Sequence, residues 1–314
     1  MVELTERVAP TFRSSFAEPS IELRLDEAVA LATAWAASLG DAAGIRVLIL
    51  KGDALAQMGL RQPRVSADVD VLIEPSRFDD YCALLTSAGW TERELPFISS
   101  RVSPHSITYV SHGWPCDIDV HSYFPGFLND PQQVFHELWG RSQQLSFARF
   151  KVRVPDRISS ILIAALHSLR DGAVSTRSAS DLSELLSTDL TDAERTELSD
   201  IARRTGCDGS LEAFLSELGL DVSPTPSRAL SEWRSRVASA SRGAYPWIML
   251  WRSSRWRDRP MIAVRAIWPT DTDILLAHPT VPRRFWPILE ARARRLGRGV
   301  RGLPLSVRAL RNRT

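Results

Sequence analysis

The sequence predicts an α+β domain over residues 1–154, a mixed sheet with flanking helices, followed by a mostly helical domain over residues 155–314. Three observations carry this expectation. Short β-branched apolar runs, IRVLIL at 45–50 and DVDVLIE at 68–74, alternate with amphipathic helical segments in the first half. Beyond Pro155 the strand patterns cease and capped helical periods take over. The composition, 44% hydrophobic and 24% charged, is that of a folded globular chain.

Taken in order, residues 1–20 read as a loose leader, and LDEAVALATAWAASL at 25–39 as an amphipathic helix ended by Gly40. IRVLIL is a buried strand that stops at Lys51-Gly52, and DALAQMGL makes about two helical turns. RQPRVSA is a loop, DVDVLIE a strand, and Pro75-Ser76 opens a helix ending near Gly89. SPHSITYV and PCDIDVHSYF flank His112-Gly113-Trp114 as a hairpin. In the second half, DRISSILIAALHSLRDG is a helix with Asp156 as N-cap, and SASDLSELLS is another. Thr191 and Glu194 form a capping box for a helix that ends at Gly206, GSLEAFLSELGL follows, and DVSPTPS at 221–227 is a connection.

The bulk numbers exclude several classes. A net charge of +2 does not mark a nucleic-acid binder. Cys82, Cys116 and Cys207 are widely spaced, with no CxxC pair, which argues against a disulfide framework or zinc cluster and fits a reducing cytoplasm. The N-terminal residues carry acids and no apolar run, unlike a secretory signal. No run approaches the roughly 20 apolar residues of a membrane span, so a soluble cytoplasmic protein is expected.

The chemistry concentrates in two strands. Residues i and i+2 of a strand share a face, so Asp68 and Asp70 point together while Val69, Val71 and Ile73 face the opposite way. Adjacent carboxylates repel unless a cation stands between them, and Mg²⁺ is commonly held by such a pair together with substrate phosphates. CDIDVH repeats the arrangement, placing Asp117, Asp119 and His121 on one face. Three converging carboxylates suit two-metal phosphoryl chemistry. His121 reads as a supporting residue. Upstream, Lys51-Gly52 offers a point charge and a backbone that can approach an anion, with the following helix N-terminus adding free N–H groups. Arg64 adds a planar donor fork, and Ser66 either binds a phosphate oxygen or shapes the loop.

These motifs resemble the uncharacterised nucleotidyltransferase family of the DNA polymerase β-like superfamily. Leu50-Lys51-Gly52, the block from Arg64 to Ile73 with its Asp68 and Asp70, and Asp119-Val120-His121 carry the resemblance, which covers residues 45–125 well and the following helices more weakly. It implies that Asp68 and Asp70 bind metal, and that Asp119 is a third metal-binding carboxylate or deprotonates the acceptor. It also implies that Lys51, Gly52, Arg64 and Ser66 serve the nucleotide. Lys51-Gly52 stands where the wider superfamily has Gly-Ser. The expected reaction moves an NMP from an NTP, ATP favoured, to a hydroxyl of a small molecule or peptide, in keeping with natural-product biosynthesis. The expected cofactor is Mg²⁺ in a two-metal site, with Mn²⁺ as the substitute. The alternatives are a non-catalytic nucleotide- or peptide-binding module of this fold, or an RNA-modifying nucleotidyltransferase or toxin; nucleic acid is the less favoured partner.

Other features are set aside. Gly297–Gly302 matches GxGxxG but follows an Arg-rich helix rather than a strand. Asp271-Thr272-Asp273 follows Pro269-Thr270 and opens a helix, which turns its acids to different faces. His167 reads as a packed helical residue. The Trp- and Arg-rich tail from Trp233 to Arg313 reads as a solvated face of a helical domain, with RNA, an anionic membrane or an acidic peptide as alternative contacts.

Overall fold

A computed structural model of the protein describes residues 23–102, 105–170, 176–239 and 245–311; the leader expected over residues 1–20 lies outside them. The first half runs α1 (Leu25–Ala42), β1 (Val47–Ile49), α2 (Asp53–Gln57), β2 (Asp68–Ile73), α3 (Phe78–Ser87), β3 (Thr91–Glu92) and α4 (Ser99–Val102). It continues through β4 (Ser106–Val110), β5 (Asp117–His121), α5 (Pro131–Gly140), β6 (Gln143–Phe147) and β7 (Phe150–Val154). Among the described residues, helices then follow without strands: α6 (Arg157–Arg170), α7 (Thr176–Leu186), α8 (Asp192–Thr205), α9 (Glu212–Glu217) and α10 (Arg228–Ser239). The last four are α11 (Tyr245–Ser253), α12 (Arg259–Ile267), α13 (Asp271–Ala277) and α14 (Phe285–Arg311).

The α+β class is as expected. Five strands form one mixed sheet in the order β1-β2-β5-β4-β3. β2 and β5 pair in parallel, while β1–β2, β4–β5 and β3–β4 are antiparallel. A parallel pair needs a crossover, and the segment from α3 to β4 supplies it. The β4–β5 hairpin turns through His112-Gly113-Trp114, as the sequence suggested.

Strand periodicity decides what each face of the sheet meets. Val69, Val71 and Ile73 of β2 and Ile118 and Val120 of β5 pack into one core with the alanine face of α1. The other face of β2 reads Asp68, Asp70, Leu72, so it passes from polar to apolar along the strand. Leu72 joins Leu48 and Leu50 in a second core that also takes Ile161 and Leu162 of α6, Leu198 of α8 and Phe214 of α9. This core runs across the 154/155 boundary and presses α6 against the sheet beside the aspartates.

Two local outcomes differ from expectation. Gly40 does not end α1, which continues to Ala42. A Cβ on Gly40 would come within 2.3 Å of Val47 Cγ2, so this glycine permits close approach to β1 rather than a helix stop. The second difference is the β6–β7 hairpin, whose sequence lacks the Asn-Gly or Asp-Gly signal of a two-residue turn. Ala148 and Arg149 adopt positive φ of 46° and 69° in its place. The helix caps form where the sequence places them. Asp156 Oδ1 accepts from Ser159 N at 2.8 Å. The Thr191–Glu194 capping box forms, and Gly206 closes α8 at φ 72°. Asp271-Thr272-Asp273 opens α13, capped by Thr270, and Gly297 and Gly299 lie inside α14. The three cysteines are free and buried. Among the described residues no helix is long and apolar enough to cross a membrane.

Ile161 is fully buried in the shared core. Ile161→Ala should lower stability by about 2–5 kcal/mol. A urea titration followed by tryptophan fluorescence and by far-UV circular dichroism should show the loss in one coincident transition, since sheet and helices share that core.

Candidate active site

The register of β2 and β5 brings the acids together. Asp70 pairs with Asp119 and Asp68 with Asp117 across the parallel ladder. The side chains at i and i+2 share a face, so Asp70, Asp119 and His121 converge, each with one ligand atom within 4.8 Å of the others. Asp70 and His121 are buried and Asp119 is partly exposed. His121 Nε2 lies 3.0 Å from Asp70 Oδ1 and 3.9 Å from Asp119 Oδ2. With Nε2–H donating to Asp70, His121 Nδ1 is left as a buried acceptor without a partner. Thr108 on β4 donates to Asp119. Asp68 sits nearer the entrance and accepts from Ser66 Oγ at 2.9 Å, so Ser66 shapes the loop that carries the first aspartate. Asp117 departs from the cluster to pair with Arg93 at 2.6 Å.

Lys51 supplies the balancing charge. Its Nζ lies 2.9 Å from Asp70 Oδ1, with Asp70 buried and Lys51 nearly so. The backbone delivers it there: Leu50 N donates to Asp70 O at 2.9 Å, and the chain then turns through Lys51 at φ 38° and Gly52 at φ 57°. Gly52 has ψ −140°, a conformation open only to glycine. On the far side of the ammonium stands His167 of α6, whose Nδ1 is 3.2 Å from Lys51 Nζ. His167 is therefore more than a packed helical residue. It accepts from Lys51 through Nδ1, and burial, with Lys51 and Arg170 nearby, pulls its pKa down to about 3.

The carboxylates respond differently to this environment. Burial pushes Asp70 up, but Lys51 and His121 outweigh burial and hold it well below the usual carboxylate range. Burial and the adjacent Asp70 raise Asp68, with Asp119 adding to the effect and Ser66 and Lys51 opposing it. Three carboxylates thus cluster near one lysine, a deficit of positive charge that adds to burial in raising Asp68. That deficit, and a donor set of carboxylates with one imidazole, fit a divalent cation.

Two cavities meet at Lys51, Gly52, Asp68 and Asp70, and both are of ligand-binding size. One, about 390 Å³, extends towards α1 and is lined by Val29, Thr33, Ile49 and Phe147. The other, about 560 Å³, lies against α6 and α7 and is lined by Arg61, Arg177, Asp181 and His167. Arg64 lines both, but its two terminal nitrogens donate to Asp181 Oδ1 and Oδ2, each at 2.6 Å, which ties the loop to α7. Arg61 was not singled out from the sequence. Its Nη2 donates to Gly52 O at 2.7 Å and its Nε is buried without a partner. Burial, followed by the charge of Arg64, lowers its pKa. Helix α2 has only five residues, too short for much of a dipole, so the cationic side chains dominate the field here.

A family model described as "uncharacterised nucleotidyltransferase" matches residues 4–217. The chain belongs to that family. Three solved structures are similar at low identity. A nucleotidyltransferase-like antigenic protein from Paracoccidioides brasiliensis is 15% identical, over 61% of this chain and 93% of its own, at a TM-score of 0.37. The lincosamide antibiotic adenylyltransferase LnuA, solved with lincomycin, is 14% identical, over 54% of this chain and 92% of its own, at a TM-score of 0.30. The antibiotic-resistance factor ANT(2'')-Ia is 13% identical, over 68% and 95%, at a TM-score of 0.34. No curated protein sequence matches the chain.

In this nucleotidyltransferase the expected residues Lys51, Gly52, Ser66, Asp68, Asp70 and Asp119 all lie on one side of the sheet around the β2–β5 pair. The sequence missed Arg61, which sits three residues before Arg64 in the same loop, and the link from Lys51 to His167. Only the packing of α6 on the sheet places that histidine.

Lys51→Met leaves Asp70 buried without its ammonium, with only His121 still donating to it, and should lower stability by about 3–5 kcal/mol in metal-free buffer; Asp70→Asn added to it should recover part of that loss in chemical denaturation. The depressed His167 makes the unfolded chain bind more protons than the folded one below its ordinary pKa of 6.5. Its contribution is complete above that value and is lost as pH falls towards about 3, with a slope of about 1.4 kcal/mol per pH unit. His167→Gln should flatten the stability profile between about pH 6 and 5, where the carboxylates add little.

Proposed function

We propose that the protein transfers an NMP from an NTP to a hydroxyl of a small-molecule or peptide acceptor, with pyrophosphate leaving. The observation that carries this is the parallel register that sets Asp70 beside Asp119 with Lys51 and His121 against them, at the junction of two ligand-sized cavities. Asp68, Asp70 and Asp119 are the carboxylates that would hold Mg²⁺, or Mn²⁺ in its place, in a one- or two-ion site. The bound cation supplies charge neutralisation on the transferred phosphate.

The chain's own residues have separable tasks. The cavity against α6 and α7 takes the triphosphate, supported by Arg61, which has no carboxylate partner among the described residues, and by Arg177 at its mouth. Lys51 neutralises Asp70 until the nucleotide arrives and then offers its charge to both. The less polar cavity beside α1 takes the acceptor, whose hydroxyl approaches from the Asp68 side. The acceptor oxygen bonds to the α-phosphorus, the bond to the pyrophosphate oxygen breaks, and the hydroxyl proton passes to Asp68, which lines the acceptor cavity, while Asp119, fixed by a hydrogen bond from Thr108, would serve the cation. ATP is the favoured donor.

Nucleotide binding and turnover separate this reading from a non-catalytic module. Asp70→Asn and Asp119→Asn should each reduce Mg²⁺-dependent pyrophosphate release by about 10³-fold or more in the presence of an accepted hydroxyl compound. Arg61→Ala should weaken NTP binding about tenfold or more in calorimetry, with a smaller effect on the turnover number. Metal-dependent ATP binding unchanged in Asp68→Asn/Asp70→Asn would remove the carboxylates from the site altogether.

A further inference from the structure

The C-terminal helices carry a surface that the carboxylate site does not use. Residues 245–314 hold 15 arginines and four acids, whereas residues 1–244 hold 24 basic and 33 acidic residues. The near-neutral total therefore conceals a basic module attached to an acidic body. Within residues 245–300 there are 11 arginines, and three of them pair with acids: Arg265 with Asp273, Arg292 with Asp271 and Arg294 with Glu290. The others, among them Arg252, Arg255, Arg283, Arg284 and Arg298, have no carboxylate partner among the described residues.

The same helices expose large apolar side chains. Ten of the 14 exposed large hydrophobic residues among those described lie in this stretch, including Trp256, Trp286 and Phe285. They are not scattered singly. Met261, Val264 and Ile267 recur every three residues along the outer face of α12, with Trp268 at its end, and stand 43%, 62%, 58% and 53% exposed. Ile262, on the inner face, is buried. Ile267 joins this stripe to a groove of about 580 Å³ whose walls include Trp247, Trp251, Leu296 and Val300. Arg295 and Arg298 line the groove, and the Arg295 guanidinium lies 5.0 Å from the centre of the Trp247 ring.

We propose that this module docks the protein on an anionic phospholipid surface. Unpaired arginines beside an outward aliphatic stripe and exposed tryptophans form the amphipathic pattern that lies in a bilayer interface, with cations at the phosphates and aromatic rings at headgroup depth. The groove beside Arg295 and Arg298, about 580 Å³ with mostly apolar walls, has the volume for part of an acyl chain below its phosphate. A nucleic-acid backbone would satisfy the arginines but leave Met261, Val264 and Ile267 in water. A neutral protein partner would cover the stripe but strip water from unpaired guanidinium groups. This proposal does not depend on the nucleotidyl-transfer reading.

Co-sedimentation of the full chain with vesicles tests it. The protein should sediment with vesicles of phosphatidylglycerol and phosphatidylcholine and remain in solution with phosphatidylcholine alone. Binding should fall about tenfold or more between about 0.1 and 0.5 M NaCl. Val264→Asp/Ile267→Asp and, separately, Arg255→Glu/Arg257→Glu should each weaken partitioning about tenfold or more with an unchanged thermal melt and unchanged nucleotide binding. The proposal is overturned by no binding to anionic vesicles at about 0.1 M NaCl, or by equal binding to neutral ones. It is also overturned if the chain binds RNA and not vesicles, or if it elutes as a dimer that Val264→Asp/Ile267→Asp converts to a monomer.

Discussion

The buried pair of Lys51 and Asp70 is the contact on which the site depends. A carboxylate at that depth, beside Asp68 and Asp119, is tolerable only with a cation in contact. The chain provides one by ending β1 beside Asp70 and turning through two consecutive residues of positive φ. Gly52 makes the second of those conformations accessible, and Lys51 accepts the first under the combined hold of Asp70 and His167. The compactness of an ammonium suits this position better than a planar guanidinium would. That explains why one of only two lysines in an otherwise arginine-based chain stands here.

The same contact joins the two halves of the protein. His167 belongs to α6, which the second hydrophobic core presses onto the sheet. The polar chain from Asp70 through Lys51 to His167 therefore runs alongside the apolar contact between Leu72, Leu50 and the α6 side chains. Apolar packing fixes where α6 lies, and the neutral imidazole then accepts from the ammonium without adding a second positive charge. The Arg64–Asp181 pair adds a further polar tie, from the loop before β2 to α7. Together these ties enclose the larger cavity between the sheet and the helical half, so its walls come from both parts of the chain.

A different balance governs the last four helices. Their apolar residues outnumber the positions that the small core around Ile274 and Ile288 can bury, and their arginines outnumber the available acids. The surplus of both kinds faces outward. The carboxylate side of the molecule carries an excess of acid held around Lys51, whereas this side turns an excess of arginine outward.

Periodicity and spacing made much of this legible. Alternation in DVDVLI and CDIDVH placed the acids on single faces, because a side-chain period of two leaves no other choice on a strand. Cap residues set the start of α6 and both ends of α8 through local hydrogen bonds. Other features were not legible, for physical reasons. Gly40 looked like a helix stop because its partner, Val47, is a tertiary neighbour. The β6–β7 turn escaped notice because Ala148 and Arg149 reach positive φ without the residues that prefer it. By itself the sequence determined the candidate carboxylates and the lysine-glycine turn. Only the tertiary structure decided that Asp70 sits beside Asp119, that Lys51 lies between Asp70 and His167, and that Arg61 lines the cavity. Strand pairing and helix packing bring together residues far apart in the chain, and no local pattern encodes which of them will meet.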